Sequence, residues 1–253
     1  METDWPRLRR AIGRDAIGVG IAVGMFGLSF GALAIASGLT IWQTVVLSSV
    51  MFTGGSQFAF IGVIGSGGSP LAAAIAALLL GARNTFYGVA MAATLRPQGW
   101  RRIAAAHLTI DESTAMSLAK TDPDEPRAAR MAFWATGLAV FVGWNLATIA
   151  GALGAASLGD PGRWGLDAMV PAAFLALLWP RLRSRMNVVV ALVAAVVAIL
   201  ASLVLPPGIP VLLGGAVAVI VALSWSSRDS TELIGAASDE RDDPLGSSPG
   251  GAQ

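Results

Sequence analysis

The chain has 253 residues, of which 55 % are hydrophobic and 13 % charged, with a formal net charge of +1. Several apolar runs of about 18 residues or more make it a polytopic helical membrane protein rather than a soluble domain or a disordered chain. The near-neutral balance leaves no footprint for nucleic acid; the absence of cysteine excludes disulfides, thiolate zinc sites and thiol catalysis.

The apolar runs are continuous and lack the two-residue alternation of barrel strands, so the expected fold class is all-α. Residues 1–15 form a basic arm with Arg7, Arg9, Arg10 and Arg14, which the positive-inside rule places in the cytoplasm. The transmembrane domain covers residues 16–225. Its first span, Ala16 to Leu39, ends in a cleavage-like Ala34-Ile35-Ala36, but the run is longer than a signal-peptide core and is read as uncleaved. Gly20/Gly24 and Gly27/Gly31 have the spacing of close helix contacts. They suggest a surface for a neighbouring helix or a second membrane subunit.

The second run, Ile41 to Ile64, carries Thr53-Gly54-Gly55-Ser56-Gln57 at its middle. Paired glycines there weaken a helix. Broken backbone at membrane depth is tolerated where it is buried in protein or lines a cavity. Half-helix ends of this kind bind solutes in transporters; a tight helix crossing with Gln57 hydrogen-bonded to a neighbour is the competing reading. The third run, Leu71 to Leu95, contains Arg83-Asn84-Thr85-Phe86-Tyr87. An arginine near the centre of a span costs about 2.5–3.5 kcal/mol on insertion scales. Arg83 and Tyr87 share a face, and that face is read as lining a polar cavity, against the alternative of an arginine snorkelling to the headgroups.

A basic loop from Arg96 to Arg102 follows, then a short polar segment, Ile103 to Ala119, with His107, Asp111 and Glu112. His107 and Asp111 are four apart and share a face if the helix is continuous. As the only histidine, His107 is too little for a histidine metal site. Beyond the solvated loop 120–130 come four more spans: Met131–Leu158, with Trp144-Asn145 inside it, Leu166–Trp179, Asn187–Leu205 and Pro210–Trp225. Arg181, Arg183 and Arg185 mark a cytoplasmic loop. Residues 226–253, rich in Ser, Gly, Asp and Pro, read as a disordered cytoplasmic tail. Two topologies satisfy the charges at both termini. Either all eight segments cross, leaving the Arg96–Arg102 loop outside, or 41–64 and 103–119 dip in and return, giving six crossings with that loop inside.

Four blocks in order carry a resemblance: Phe26-Gly27-Leu28-Ser29-Phe30-Gly31, Gly54-Gly55-Ser56-Gln57-Phe58, Arg83-Asn84-Thr85-Phe86-Tyr87-Gly88, and Thr109-Ile110-Asp111-Glu112-Ser113. With Gly165 to Leu175, they resemble AzlC-type branched-chain amino-acid permeases, over roughly residues 16 to 225. Met25 departs from the pattern, standing where many members carry a proline. The resemblance implies a plasma-membrane exporter of hydrophobic amino acids that works with a small AzlD-type membrane subunit, without a cofactor.

A zwitterionic amino acid needs a cation or helix N-terminus for its carboxylate and an acceptor for its ammonium. Arg83 suits the carboxylate because its planar fork pairs bidentately. Gly54, Gly55, Ser56, Gln57, Asn84 and Tyr87 are the other expected substrate-binding residues, with Phe58 beside an aliphatic side chain. Asp111 or Glu112 suits the ammonium, or pairs with Arg83; proton coupling is assigned to His107, Asp111 and Glu112. A helix N-terminus at the interface, where acids are comfortable, is the competing account of Asp111-Glu112. Neither His-Glu-x-x-His nor a Ser/His pairing with a third partner is present, so no enzyme is expected. A passive channel or a non-transporting scaffold are the alternatives.

Overall fold

The computed structural model describes residues 4–157, 182–206 and 208–221, together with Ala172, Leu175, Leu178 and Trp179. The expected span Leu166–Trp179, most of the Gly165–Leu175 block, Arg181 and the tail 226–253 lie outside the described residues, apart from those four positions. Every regular element among the described residues is an α-helix.

Helix α1 (Trp5–Ala36) starts where the Asp4 side chain accepts from the Arg7 N–H and Pro6 fills the first turn. Its beginning defines the proximal end of the bundle. The chain turns at the distal end through Gly38, whose φ of +89° favours glycine. Helix α2 (Ile41–Val50) then starts with Thr40 and Gln43 capping each other reciprocally. It stops after ten residues; Met51, Phe52 and Thr53 are non-helical, and α3 (Gly54–Gly65) begins. The sequence places the break at Thr53–Gln57; the structure has it just upstream, with both glycines in the first turn of α3.

A Ser66-Gly67-Gly68-Ser69 turn, with Gly67 at φ +81°, leads to α4 (Pro70–Gly81), where Ser69 caps the N-terminus. Only Ala82 interrupts its continuation as α5 (Arg83–Leu95), so the two form one 26-residue span broken beside Arg83. Arg96 ends α5 in the left-handed region, before Pro97. Helices α6 (Trp100–His107) and α7 (Asp111–Ala119) follow, separated at Leu108–Ile110. That break removes the shared face expected for His107 and Asp111. Ser113 closes it, accepting from the Ile110 N–H and donating to the Leu108 carbonyl. Helix α8 is Pro126–Ser157, α9 is Arg185–Ser202 and α10 is Ile209–Val221.

Helices α1 and α8 lie parallel and almost backbone to backbone. Gly20 faces Ala139, Gly24 faces Gly143, Gly27 faces the Trp144 carbonyl and Gly31 faces Thr148. A Cβ at Gly20 would stand 2.9 Å from Ala139, and one at Gly24 would stand 3.0 Å from Gly143. In lipid the hydrophobic effect does not join helices, and close packing of small residues does. The glycine stripe of α1 is therefore covered by this chain's own α8. It is not the surface for a second subunit that its spacing suggested.

Contacts along α8 fix the depth of everything between. Ser48 of α2 donates to Thr148, and Ser49 to Asn145 at 3.0 Å, so α2 enters from the distal end antiparallel to α8. Helix α3 runs back to that end, its Gly65 packing on Ser37. At about 1.5 Å per residue, its 12 residues reach roughly half of a 30 Å hydrocarbon core. Helices α4 and α5 cross from the distal end, near Val63, to the proximal end, where Met91 and Leu95 pack on Phe133. Helices α6 and α7 form a second hairpin, entering and leaving at the proximal end: Ala105 packs on Phe133, and Ser117 donates to the Ala129 carbonyl. Both short segments are thus re-entrant, as in the six-crossing topology. The α9–α10 turn returns to the distal end, with Gly208 against Val63 and Ala72.

Candidate functional site

The tips of the two hairpins meet at the break between α4 and α5. A cavity of about 420 Å³ opens there, lined by Gly54 and Gly55 of α3, Arg83 and Asn84 of α5, and Asp111 and Glu112 of α7. Its apolar walls come from Phe58, Val140, Trp144 and Phe26, with Leu178 also in contact. Helices α3 and α7 start at the cavity and run towards opposite ends, so their N-termini both point inward. Neither Thr53 nor Ile110 caps its helix with a side-chain oxygen, and the positive helix ends are turned to the cavity.

Arg83 Nη1 lies 3.1 Å from Asp111 Oδ2, each side chain about one-third exposed. This ion pair joins the crossing span to the proximal hairpin and accounts for an arginine at mid-depth. Its other amino group faces Gly55, where a Cβ would stand 3.4 Å from Nη2. The Arg83 Nε and Asn84 Oδ1 are buried and make no hydrogen bond among the described residues.

The expected site residues divide into three groups. Gly54, Gly55, Arg83, Asn84, Asp111 and Glu112 line the cavity together. Ser56 and Gln57 are buried behind it. The Ser56 hydroxyl faces Gly81 and has no hydrogen-bond partner among the described residues. Gln57 is committed: its amide donates to the Ser48 and Met51 carbonyls at 3.1 and 2.6 Å, and its carbonyl accepts from the Trp144 indole at 2.8 Å. This is the neighbour-bonded glutamine that stood as the competing reading. Tyr87 and His107 lie outside the lining. His107 packs between Phe52 and Phe141, with ring centroids 5.8 and 5.6 Å away.

Trp144 stands in the sequence as a residue within its span, with no role assigned to it. One signal was available: tryptophans favour the membrane interface, and one in mid-span needs a partner for its N–H.

At the proximal end, Glu125 is buried and takes the Arg127 guanidinium on both oxygens, at 2.6 and 3.0 Å. That hydrogen bonding, aided by the arginine's charge and opposed by desolvation, holds the Glu125 carboxyl below its ordinary range. Arg127 also stands 4.4 Å over the Trp5 ring, tying the starts of α1 and α8 together.

Among known proteins, a family model described as "AzlC protein" matches residues 18–158, which include every cavity residue named above except Leu178. No curated protein and no solved structure matches the chain.

Proposed function

We propose, on the premise that this chain belongs to the AzlC family, that it exports branched-chain or related hydrophobic amino acids across the plasma membrane, driven by the proton gradient and together with a small AzlD-type subunit. It is a multi-pass membrane protein of the branched-chain amino-acid permease type.

The observation that carries the finer reading is the Arg83–Asp111 pair inside a largely apolar cavity at the junction of broken helices. A zwitterion can replace both partners at once. Its carboxylate takes the Arg83 fork, helped by the free N–H groups at the start of α3, while its ammonium takes Asp111 or Glu112. No charge is left bare, because each protein group exchanges one counterion for another. Phe58, Val140 and Trp144 suit an aliphatic side chain. Asn84 stands beside Arg83 as a further polar contact.

Protonation of Asp111 or Glu112 would compete with the ammonium and so link efflux to proton entry; His107 lies on the same hairpin. Ser56 and Gln57 support the site from behind the lining. The charge distribution supports a cytoplasmic proximal end. Arg9, Arg10, Arg14, Arg96, Arg101, Arg102, Lys120, Arg127, Arg183 and Arg185 all gather there, whereas the distal turns 37–40, 66–69 and 203–206 hold no charged residue. The small subunit rests on the family resemblance.

The test is efflux of leucine, isoleucine and valine from reconstituted vesicles, with and without a proton gradient. Gradient-dependent efflux supports the reading. Downhill flux indifferent to the gradient indicates a channel, and absence of flux even with the small subunit indicates a scaffold.

A further inference from the structure

We infer that Trp144 sets the size of the substrate side chain, and that Gln57 is the positioning residue that holds its indole in place; this rests on the amino-acid permease reading above. Trp144 is 4 % exposed, and it lines the cavity. Its indole has little rotational freedom. The N–H donates to Gln57 Oε1 at 2.8 Å, one face stacks on Phe30, and Phe58 meets it edge-on. Gln57 cannot yield, because both its amide hydrogens are taken by carbonyls at the C-terminal end of α2. A buried side chain with all its polar groups engaged holds its neighbour to one orientation.

The held orientation brings the benzo edge of the indole against the first residue of α3. A Cβ at Gly54 would stand 3.0 Å from Trp144 Cη2. The adjacent Gly55 faces Arg83 in the same way, at 3.4 Å from Nη2. Two consecutive residues therefore face the guanidinium and the aromatic wall. A substrate whose carboxylate is fixed at Arg83 has its side chain beginning a few ångströms from Trp144. The wall is hydrocarbon, rigid and close, which is how a pocket admits short aliphatic chains and excludes longer or aromatic ones. Each methylene that fits or fails to fit such a pocket is worth about tenfold in discrimination.

The experiment compares efflux of valine, leucine, methionine and phenylalanine from vesicles holding equal amounts of the full chain with its small subunit, for wild type, Trp144→Leu, Trp144→Phe and Gln57→Glu. Trp144→Leu should move the phenylalanine-to-valine ratio at least about tenfold towards phenylalanine. Trp144→Phe should move it the same way by less. Gln57→Glu, protonated in this buried site, still accepts from the indole but has one donor for the two α2 carbonyls; it should shift the ratio through KM for each substrate, with membrane protein level retained. A merely structural role for Gln57 would lower all four rates together. If Trp144→Leu does not accumulate in the membrane, Trp144→Phe decides. An unchanged ratio in the Trp144 variant that accumulates overturns the inference. Wild-type vesicles that move none of the four would instead overturn the permease reading.

Discussion

The hairpin α2–α3 and the hairpin α6–α7 enter from opposite ends and stop at the same depth, but different chemistry holds their tips. The distal hairpin has no charged residue; Gln57 takes two carbonyls of its break, Ser48 and Ser49 bond to α8, and the N–H groups that start α3 are left to the cavity. The proximal hairpin closes its break with Ser113 and Thr109 and presents Asp111 and Glu112 to the cavity. A half-helix that ends in mid-membrane can thus offer a cavity its backbone alone or ionised side chains as well. The difference assigns shape to the distal hairpin and charge exchange to the proximal one.

The sharpest way to break this comparison is to show that the segments do not re-enter at all, an all-or-none outcome. The chain has no cysteine, so single cysteines can be placed at Ser66, Gln98 and Ser184 and probed with an impermeant thiol reagent in intact cells. Ser66→Cys should label from outside, while Gln98→Cys and Ser184→Cys should both be protected. Labelling at Gln98 would make α6–α7 a crossing.

Next in size is the effect at Arg83. Arg83→Lys keeps the charge but loses the planar fork, and efflux should fall about tenfold to a hundredfold, the worth of a charge-assisted hydrogen bond. Arg83→Gln should still insert, because removing a charge eases insertion. Efflux and membrane protein level are measured together. Normal efflux by Arg83→Lys would remove the carboxylate role, and loss of protein in both variants would make the Asp111 pair structural.

A smaller contrast separates the hairpins directly. Gln57→Leu leaves the Trp144 N–H and two carbonyls without their partner, at about 1–3 kcal/mol for each group. It should lower the unfolding temperature in detergent without altering how efflux depends on a pH gradient. Asp111→Asn removes the Arg83 counterion, so melting should fall as well, but here gradient-driven efflux should be lost while substrate exchange persists. Matching behaviour of the two variants would erase the division of labour.

Much of this site could be read from the sequence because polar residues inside an apolar run announce themselves. Arg83 was legible as an intramembrane cation, Asp111 as its partner, and Gly54-Gly55 as a weak point. For Gln57 the sequence offered a neighbour-bonded glutamine but not which neighbours, since they belong to α2 and to Trp144 of α8, 87 residues away. The choice between crossing and re-entry was closed to composition as well. Runs of 24 and 17 residues are compatible with either, and only the antiparallel contacts of each half-helix with its neighbours decide it. The four-residue glycine spacing told that α1 packs closely, but spacing on one helix does not name the other.

The smallest expected effect concerns how the proximal end is fastened. The Glu125 carboxyl is held below its ordinary range by Arg127, so the link contributes stability above the unfolded value, near pH 4.3, and loses it as the pH falls further. Wild type should lose a few degrees of unfolding temperature in that window. Glu125→Gln, already less stable at neutral pH, should show a flatter acid profile. Equal slopes would mean that the pair adds nothing to the fastening of α1 to α8.

The parallel pairing of α1 with α8 also dictates a timetable. Helix α1 ends at Ala36 and α8 begins at Pro126, so at ribosomal speeds the first helix waits roughly 5–20 seconds for the surface its glycines fit. During that interval the Arg83 span emerges ahead of Asp111, and Gln57 emerges well ahead of the indole it binds. The nascent protein therefore passes through a stage with an uncovered small-residue groove. An insertase or a neighbouring nascent helix that shelters that groove would act here, before the chain has any cavity to fill.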